Sequence, residues 1–303
     1  LKPAPSVPGC GLALAELWRD AGLPEGLFQT LLLELDAVGA LIADPRLAAV
    51  SLTGSSRAGR AVAAAAGAAL KPCVLELGGS DPALVLADAD LELAVEQCAI
   101  GRLINGGQSC IATKRIIVSR PLRPAFEEAL LERLGRVRLG DPRDEATQLG
   151  PLAREDLRAT LARQVDESLA AGAALRLGGR LPAGRGWFYP VTLLSDPPAA
   201  SPARREELFG PVAVLLEAED DEAAIRLAND TPYGLGAAVY SADRPRAEAI
   251  ARDRLQAGSC FVNAFVRSDP RLPFGGTKDS GWGRELGREG LLAFTQAKTV
   301  WVG

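Results

Sequence analysis

Short apolar runs alternate with longer amphipathic segments along most of this sequence, and that alternation constrains the fold more than any other feature. Apolar runs bounded by turn residues predict strands, and apolar residues spaced by three or four predict helices. Strands are predicted at residues 28–33, 47–53, 73–77, 82–87, 115–118, 188–194, 212–216, 236–240 and 259–263. Helices are predicted at residues 12–19, 36–42, 57–70, 91–98, 124–134, 154–171, 222–229 and 245–255. Repeated strand-then-helix order predicts an α/β fold with parallel sheets and helices on their faces.

Length and charge narrow the class of protein. The chain has 303 residues, enough for roughly two domains of ordinary size. Its formal net charge of −4 disfavours nucleic acid and acidic membranes as partners. No apolar stretch is long enough to cross a bilayer and none is typical of a secretory signal, so we expect no membrane partner and a cytoplasmic location. Five scattered cysteines without a Cys-x-x-Cys pair, together with the absence of histidine, disfavour a disulfide framework and a metal site.

Cys110 is the strongest candidate for covalent chemistry. It ends the sequence GGQSC (residues 106–110), whose glycines allow close backbone approach and leave the cysteine amide free to donate to an oxyanion. An imidazole usually serves as the base for such a thiol, but the chain contains no histidine, so a carboxylate must replace it. Glu76 ends a short apolar run in LELGG (residues 75–79), where burial would raise its pKa toward that of a useful base.

Each of these two residues also has an ordinary structural interpretation. A free cysteine is commonly a small buried hydrophobe, and a carboxylate at a strand end is commonly held by a cap or an ion pair. The glycines before Cys110, and the presence of Glu76 in the same chain, favour function for the pair. Because the thiolate is the nucleophilic form, we expect a lowered thiol pKa at Cys110 and selective alkylation there.

Three further motifs are ambiguous when taken alone. The turn at Gly54 and Ser55 follows a predicted strand and opens a helix, where backbone amides bind anions such as a pyrophosphate, but it lacks the G-x-G-x-x-G fingerprint. Residues 206–211 (EELFGP) and 273–281 (PFGGTKDSG) combine glycine with aromatic and charged residues. The first segment could also be a plain loop that enters a strand, and the second is either a pocket wall or a tight connection.

Taken together, the motifs resemble those of the aldehyde dehydrogenase superfamily, and the resemblance runs from Leu1 to Val302. It rests on LKPA (1–4), LTGS (52–55), ELGG (76–79), GQSC (107–110), ELFGP (207–211), PFGG (273–276) and SG (280–281), in matching order and separation. The segments FQTLL (28–32), DPR (44–46) and SDPRLP (268–273) look most like a bacterial succinate-semialdehyde dehydrogenase subgroup.

The resemblance implies an aldehyde dehydrogenase-like α/β fold, with a partial Rossmann-type cofactor domain and an α/β catalytic domain that has parallel sheets. By this analogy residues 1–77 are the C-terminal half of the cofactor-binding domain and residues 78–272 are the catalytic domain. Residues 273–303 return to the cofactor side and end in a strand at 298–302, which pairs with another subunit's sheet in family members. A homodimer or homotetramer is therefore expected.

The resemblance further implies NAD(P)-dependent oxidation of an aldehyde, with succinate semialdehyde as the expected substrate. Cys110 is the implied nucleophile, and its amide is one oxyanion donor. The thiohemiacetal passes hydride to nicotinamide, and Glu76 activates the water that hydrolyses the resulting thioester.

The resemblance also assigns binding roles to single residues. Lys2 and Glu207 would hold the two riboses, Gly54 and Ser55 the pyrophosphate, and Phe209 would pack beside the nicotinamide. The substrate would contact Ser109 and Ser268, with Arg271 as a further candidate.

Departures from the family pattern bear on activity and specificity. The family's second oxyanion donor is an asparagine upstream of the Lys2 motif, so we expect a truncated enzyme whose turnover is lowered by a factor on the order of 10² to 10³. Pro5 stands where many NAD-preferring relatives carry glutamate, which favours NADP, with Ser6 and Lys2 near its 2′-phosphate. Ile104 replaces an arginine that grips the substrate carboxylate in some relatives, and Ala112 replaces a second, regulatory cysteine.

Other functions stay open at this point. A catalytically silent homologue that keeps only binding or assembly functions is favoured by the missing asparagine. A thioesterase using Cys110 and Glu76 would leave the motif around Glu207 and Phe209 without a purpose. A small aliphatic aldehyde without a carboxylate is the alternative substrate, because Ile104 cannot bind an acid.

Overall fold

The structure is a computed structural model that describes residues 1–303 as two compact units. The smaller unit comprises residues 1–50 and 61–73, and the larger unit comprises residues 51–60 and 74–303. No helix of the chain combines the length and apolar character needed to cross a membrane.

The smaller unit is mainly helical. Helix α1 spans Pro8–Asp20, and a 3₁₀ turn at Leu35–Ala37 leads into helix α2 at Val38–Ala43, so the predicted helices at 12–19 and 36–42 are confirmed. The predicted strand at 28–33 is wrong. Its backbone bonds only to residue 1, through Leu1 N to Gln29 O at 2.6 Å and Leu31 N to Leu1 O at 2.8 Å, which is too little for a ladder.

The segment from residue 50 to residue 76 forms strand β1 (Val50–Thr53), helix α3 (Ser56–Ala68) and strand β2 (Cys73–Glu76). Strand β1 starts later than the predicted residue 47, because Leu47 N donates to Asp44 O in a turn. Strands β1 and β2 form a three-stranded sheet with β12 (Gly281–Trp282), which runs antiparallel to β2 and places Gly281 opposite Glu76.

A seven-stranded sheet lies at the centre of the larger unit. In spatial order its strands are β10 (Ser259–Val262), β9 (Gly236–Tyr240), β3 (Asp81–Val85), β4 (Thr113–Ser119), β7 (Val212–Ala218), β6 (Thr192–Ser195) and β5 (Ala174–Leu177). Neighbours run parallel except β5, which is antiparallel to β6. The predicted α/β fold with a parallel sheet is confirmed. Strand β6 begins at Thr192 rather than at residue 188, because Pro190 has no N–H to give to a ladder.

Alternate residues of the buried strands pack on opposite faces of this sheet, as the two-residue period of a strand requires. Ala83 and Val85 belong to an apolar cluster with helices α4 (Leu91–Leu103) and α5 (Arg123–Gly135). Leu84 belongs to a second cluster on the other face. The helices of that face are α6 (Glu155–Ala170), α7 (Pro202–Arg205), α8 (Asp221–Asn229) and α9 (Arg244–Asp253).

The C-terminal part contains short elements. Strand β8 (Tyr233–Gly234) pairs with β11 (Thr277–Lys278), and helix α10 spans Gly287–Leu292. Residues 298–302 form no strand within the single chain, and Trp301 is 87% exposed. The three-part division of the chain at residues 77 and 272 stays a prediction.

Candidate active site

Glu76 is the last residue of β2, and its carboxyl group is buried without a hydrogen-bond partner in the protein. The residue is 2% exposed, and neither Oε1 nor Oε2 accepts a hydrogen bond. Gly275 approaches so closely that a Cβ on it would lie 2.8 Å from Oε1 of Glu76. Burial, reinforced by the charge of Glu285 and opposed by Arg284, raises the pKa of Glu76 to about 8. A base of this pKa changes its protonation state just above neutral pH.

Cys110 is half-buried and follows a 3₁₀ turn at Ile104–Gly107 that extends α4. Burial raises the pKa of the Cys110 thiol to about 11. Lys114 opposes this shift, whereas the nearby carboxylates of Asp81 and Glu207 add to it. The expectation of a lowered thiol pKa is therefore wrong for this chain, because burial of the thiol, together with the carboxylates of Asp81 and Glu207, outweighs the charge of Lys114.

The structure brings the Glu76 and Cys110 segments together at Gly79. A Cβ on Gly79 would lie 2.5 Å from the backbone oxygen of Cys110 and 3.0 Å from Oδ1 of Asp81. Any larger side chain at this position would separate the two segments, so Gly79 is required for their close approach. Glu76 is three residues before Gly79 in the chain.

Glu207 lies against the same glycine pair. Its Oε1 accepts a hydrogen bond from the amide of Gly79 at 3.1 Å, and a Cβ on Gly78 would overlap its Oε2. The same Oε1 lies 3.5 Å from Nζ of Lys114, whose side chain is fully buried. A buried lysine is stabilised by such a partner, so the loop that precedes β7 is fixed against the glycines that follow Glu76.

Gly107 packs against the other end of the ELFGP motif. A Cβ on Gly107 would overlap the carbonyl of Gly210 and lie 2.8 Å from the nitrogen of Pro211. The guanidinium of Arg102, which is fully buried, donates to Gly107 O at 2.7 Å and to Val212 O at 3.2 Å. These contacts bind the loop before Cys110 to the start of β7.

Ser280 connects the C-terminal motif to the glycines after Glu76. Its fully buried Oγ donates to Gly78 O at 2.6 Å and accepts from Gly234 N at 3.0 Å. Its carbonyl accepts from Leu77 N at 3.0 Å. The motifs at 76–79, 107–110, 207–211 and 273–281 thus meet in one region of the larger unit.

The predicted pyrophosphate residues lie at the start of α3. Gly54 and Ser55 are both exposed, and Gly54 N donates to Glu76 O at 2.9 Å. Ser55 Oγ accepts from Ala58 N at 3.3 Å, as a residue at a helix start commonly does. Phe209 is half-buried in the loop beside Glu207.

Lys2 and Ser6 belong to the smaller unit. Nζ of Lys2 donates to the carbonyl of Pro3 at 2.6 Å, and Ser6 is exposed in a turn. Their predicted cofactor contacts stay predictions.

The three predicted substrate residues differ in their surroundings. Ser109 is half-buried beside Cys110, and its carbonyl accepts from Nζ of Lys114 at 2.9 Å. Ser268 is exposed. Arg271 is exposed too, and its guanidinium donates to both carboxylate oxygens of Asp269, at 2.9 Å and 2.6 Å. The guanidinium group that was predicted to bind the substrate carboxylate is therefore already paired with Asp269.

Sequence reasoning missed three buried polar residues that hold the site together, namely Asp81, Arg102 and Lys114, and it assigned no role to Ser280 of the SG motif. Only Lys114 carried a usable signal, since a lysine inside the run TKRIIV (residues 113–118) is unusual for a buried strand. Asp81 has an Oδ2 without a hydrogen-bond partner, and burial raises its pKa to about 6.

Comparison with known proteins identifies the family. The model of the aldehyde dehydrogenase family matches residues 1–300, so this chain belongs to that family. The resemblance read from the motifs is confirmed.

Among curated relatives, the chain is 49% identical over 301 residues to a succinate semialdehyde dehydrogenase of Escherichia coli (strain K12), whose name gives NAD(P)+ as its cofactor. It is 47% identical to a probable NADP(+)-dependent succinate-semialdehyde dehydrogenase of Synechocystis sp. (strain ATCC 27184 / PCC 6803 / Kazusa). These alignments cover 99% and 100% of this chain but 65% and 66% of the relatives. The chain therefore spans about two thirds of the length of the curated relatives it matches.

Among solved structures, the fold matches a succinic semialdehyde dehydrogenase from Streptococcus pyogenes in complex with NADP+, with a TM-score of 0.97 and 36% identity. It also matches a structure described as giving insight into cofactor and substrate selection by Gox0499, with a TM-score of 0.97 and 45% identity. Each match covers 100% of this chain and 66% of the other.

Proposed function

We propose that this chain oxidises an aldehyde to the carboxylic acid with NAD(P), using Cys110 as nucleophile and Glu76 as general base. One observation carries the proposal: the carboxyl of Glu76 is buried without a hydrogen-bond partner, and Gly79, three residues further along the same segment, packs against the backbone of Cys110. A buried acid without a partner is costly to stability, so its presence in a segment that packs against the Cys110 loop favours a chemical role.

The residues of the larger unit fit a nicotinamide cofactor. The glycine pair Gly78 and Gly79 leaves no room for side chains beside Glu207, and the start of α3 at Gly54 and Ser55 is exposed where a helix N-terminus binds anions. When bound, the cofactor supplies the hydride acceptor. Glu207 would hold a ribose, and Phe209 would pack beside the ring.

The chain's own residues then carry two covalent steps. The Cys110 thiolate adds to the aldehyde carbonyl to give a thiohemiacetal, whose oxidation leaves a thioester on the sulfur. The Glu76 carboxylate takes a proton from water, which attacks the thioester and releases the acid and the thiol. A pKa of about 8 leaves a fraction of Glu76 ionised at neutral pH.

We propose succinate semialdehyde as the substrate and NADP as the preferred cofactor. The names of both relatives support the substrate, and the name of the Synechocystis relative supports NADP. Pro5 supports NADP, since it removes a carboxylate that would repel a 2′-phosphate. Because Arg271 is already paired with Asp269, Ser109 and Ser268 are the better candidates for the substrate's carboxylate. A small aliphatic aldehyde is the alternative.

We also propose that the protein forms a homodimer or homotetramer. The exposed apolar residues Val300, Trp301 and Val302, at 74%, 87% and 86% exposure, support an interface at residues 298–302.

The test is NADPH formation by the purified chain with succinate semialdehyde, compared with propanal, which has no carboxylate. We expect NADPH with succinate semialdehyde, its loss in Cys110→Ser, and its retention in the matched control Cys10→Ser, whose thiol is exposed in α1. Formation with propanal alone would assign the alternative substrate. No NADPH with any aldehyde would support the silent homologue and contradict the proposal.

A further inference from the structure

We propose that Lys114 is a positioning residue that holds the nucleophile loop and supplies the positive charge that stabilises the Cys110 thiolate. This inference rests on the proposed function only in taking Cys110 as the nucleophile. It addresses the question of how a chain without histidine ionises that thiol.

The contacts of Lys114 favour this role. Its side chain is fully buried in β4, and its Nζ donates to the backbone oxygens of Cys110 at 2.7 Å and Ser109 at 2.9 Å. An ammonium group has three donors, and the remaining direction is toward Oε1 of Glu207 at 3.5 Å. The lysine thus holds the carbonyl groups of Ser109 and Cys110 in place and connects them to Glu207 in the loop before β7.

The charges around the thiol come from three elements. Asp81 in β3 and Glu207 in the loop before β7 are negative and oppose ionisation of Cys110, whereas Lys114 in β4 is positive and favours it. Arg102 in α4 is also buried nearby and acts electrostatically on Asp81 and Glu207, while its guanidinium donates to backbone carbonyls. Lys114 is therefore the cation that offsets the two carboxylates at the sulfur.

A purely structural lysine would also donate to loop carbonyls, so stability alone cannot test the proposal. The distinguishing quantity is the pH midpoint of Cys110 alkylation, which follows the thiol pKa and therefore shifts when a charge beside the sulfur is removed. Mass spectrometry of iodoacetamide-treated chain, sampled over time and pH, measures this midpoint for each cysteine and requires neither aldehyde nor cofactor.

Three variants give opposed expectations. Lys114→Met should raise the Cys110 midpoint by about one pH unit or more, which slows alkylation below the midpoint about tenfold. Asp81→Asn should lower the midpoint, because it removes a negative charge and keeps the oxygen that accepts from Gly236 N at 3.1 Å. Lys71→Met is the matched control, since Lys71 also donates to two carbonyls, those of Ile42 and Asp44, but in the smaller unit. It should leave the midpoint unchanged.

An unchanged midpoint in Lys114→Met, or a midpoint in Asp81→Asn that does not fall, would overturn the proposal. If Lys114→Met does not fold, Lys114→Arg and Asp81→Asn test the proposal instead. Lys114→Arg conserves the charge, so the Cys110 midpoint should stay near that of the parent chain. A rise of this midpoint by a full pH unit in Lys114→Arg would contradict the role. A chain that shows these shifts but makes no NADPH would refute the proposed activity and leave the role of Lys114 intact.

Discussion

Gly107 lies so close to Gly210 that a β-carbon on Gly107 would overlap the Gly210 carbonyl. The backbone of Gly107 also has a φ of +76°, in the left-handed region that side chains disfavour. Close approach and backbone conformation therefore both require glycine here, three residues before the candidate nucleophile.

Gly107→Ala should consequently destabilise the larger unit by about 3 kcal/mol, because it adds backbone strain and a steric overlap. The matched control is Gly135→Ala at the end of α5, where a Cβ would meet nothing within 4 Å. That substitution should change the free energy of unfolding by less than about 1 kcal/mol. Urea denaturation of both variants measures the difference, and equal effects would contradict the close packing described for Gly107.

Ser280→Ala should destabilise the chain by about 2 kcal/mol, since it leaves the buried Gly78 carbonyl and Gly234 amide without their shared partner. Ser119→Ala is the control, because Ser119 Oγ is equally buried but has no hydrogen-bond partner. The control should be near neutral or stabilising. A loss of stability at Ser119 as large as that at Ser280 would argue against the hydrogen bonds as the cause.

Glu76→Gln should change stability in a pH-dependent way. The pKa of Glu76 is raised to about 8 in the folded chain from a reference value of 4.5, so the folded state keeps a proton that the unfolded state loses between these values. Protonated Glu76 makes its full contribution to the free energy of unfolding below about pH 4.5, and this contribution is lost as the pH rises through about 8. Glutamine does not ionise, so the stability of the variant relative to the parent chain should increase across this window.

The opposite sign is expected for Glu222→Gln. Hydrogen bonds from Arg254 lower the pKa of Glu222, so this carboxylate stabilises the fold above its unfolded pKa and loses that contribution as the pH falls. Thermal unfolding of both variants over the same pH range gives the comparison. A pH-independent difference for Glu76→Gln would mean that the carboxyl is not desolvated in solution.

Pro5→Glu should shift cofactor preference toward NAD. A carboxylate at this exposed position would repel a 2′-phosphate, and we expect NADP to bind at least about tenfold more weakly, or about 1.4 kcal/mol, with little effect on NAD. Titration of each cofactor into the parent and variant chains measures the ratio. Equal weakening of both cofactors would indicate a general disturbance of the turn instead.

Much of the fold could be predicted from the sequence because local pattern and tertiary packing agree in the buried sheet. Residues 82–87 and 236–240 are apolar runs, and they form β3 and β9 with small shifts at their ends. The prediction failed at residues 28–33, where the leucines that suggested a strand have no neighbouring strand to pair with. A high strand propensity means only that a segment fits into a sheet. Whether a neighbouring strand is present for it to pair with depends on the rest of the fold.

The candidate site was predictable in its motif residues and not in its supporting charges. Glu76 and Cys110 stand in glycine-rich segments whose spacing is visible in the chain. The raised thiol pKa could not be predicted, because it depends first on the burial of the sulfur and then on Asp81 and Glu207, which the fold brings to it from separate segments. The pairing of Arg271 with Asp269 was local enough to be foreseen, since the two residues lie only two positions apart.

Trapping of a thioester on the Glu76→Gln variant tests the central claim most directly. The variant is mixed with succinate semialdehyde and NADP+, quenched in acid and digested, and each cysteine-containing peptide is weighed by mass spectrometry. We expect a succinyl group to accumulate on Cys110 alone, because attack and oxidation proceed while the water has no base. An unmodified Cys110, or a succinyl group on another cysteine such as the half-buried Cys260, would contradict the assigned roles.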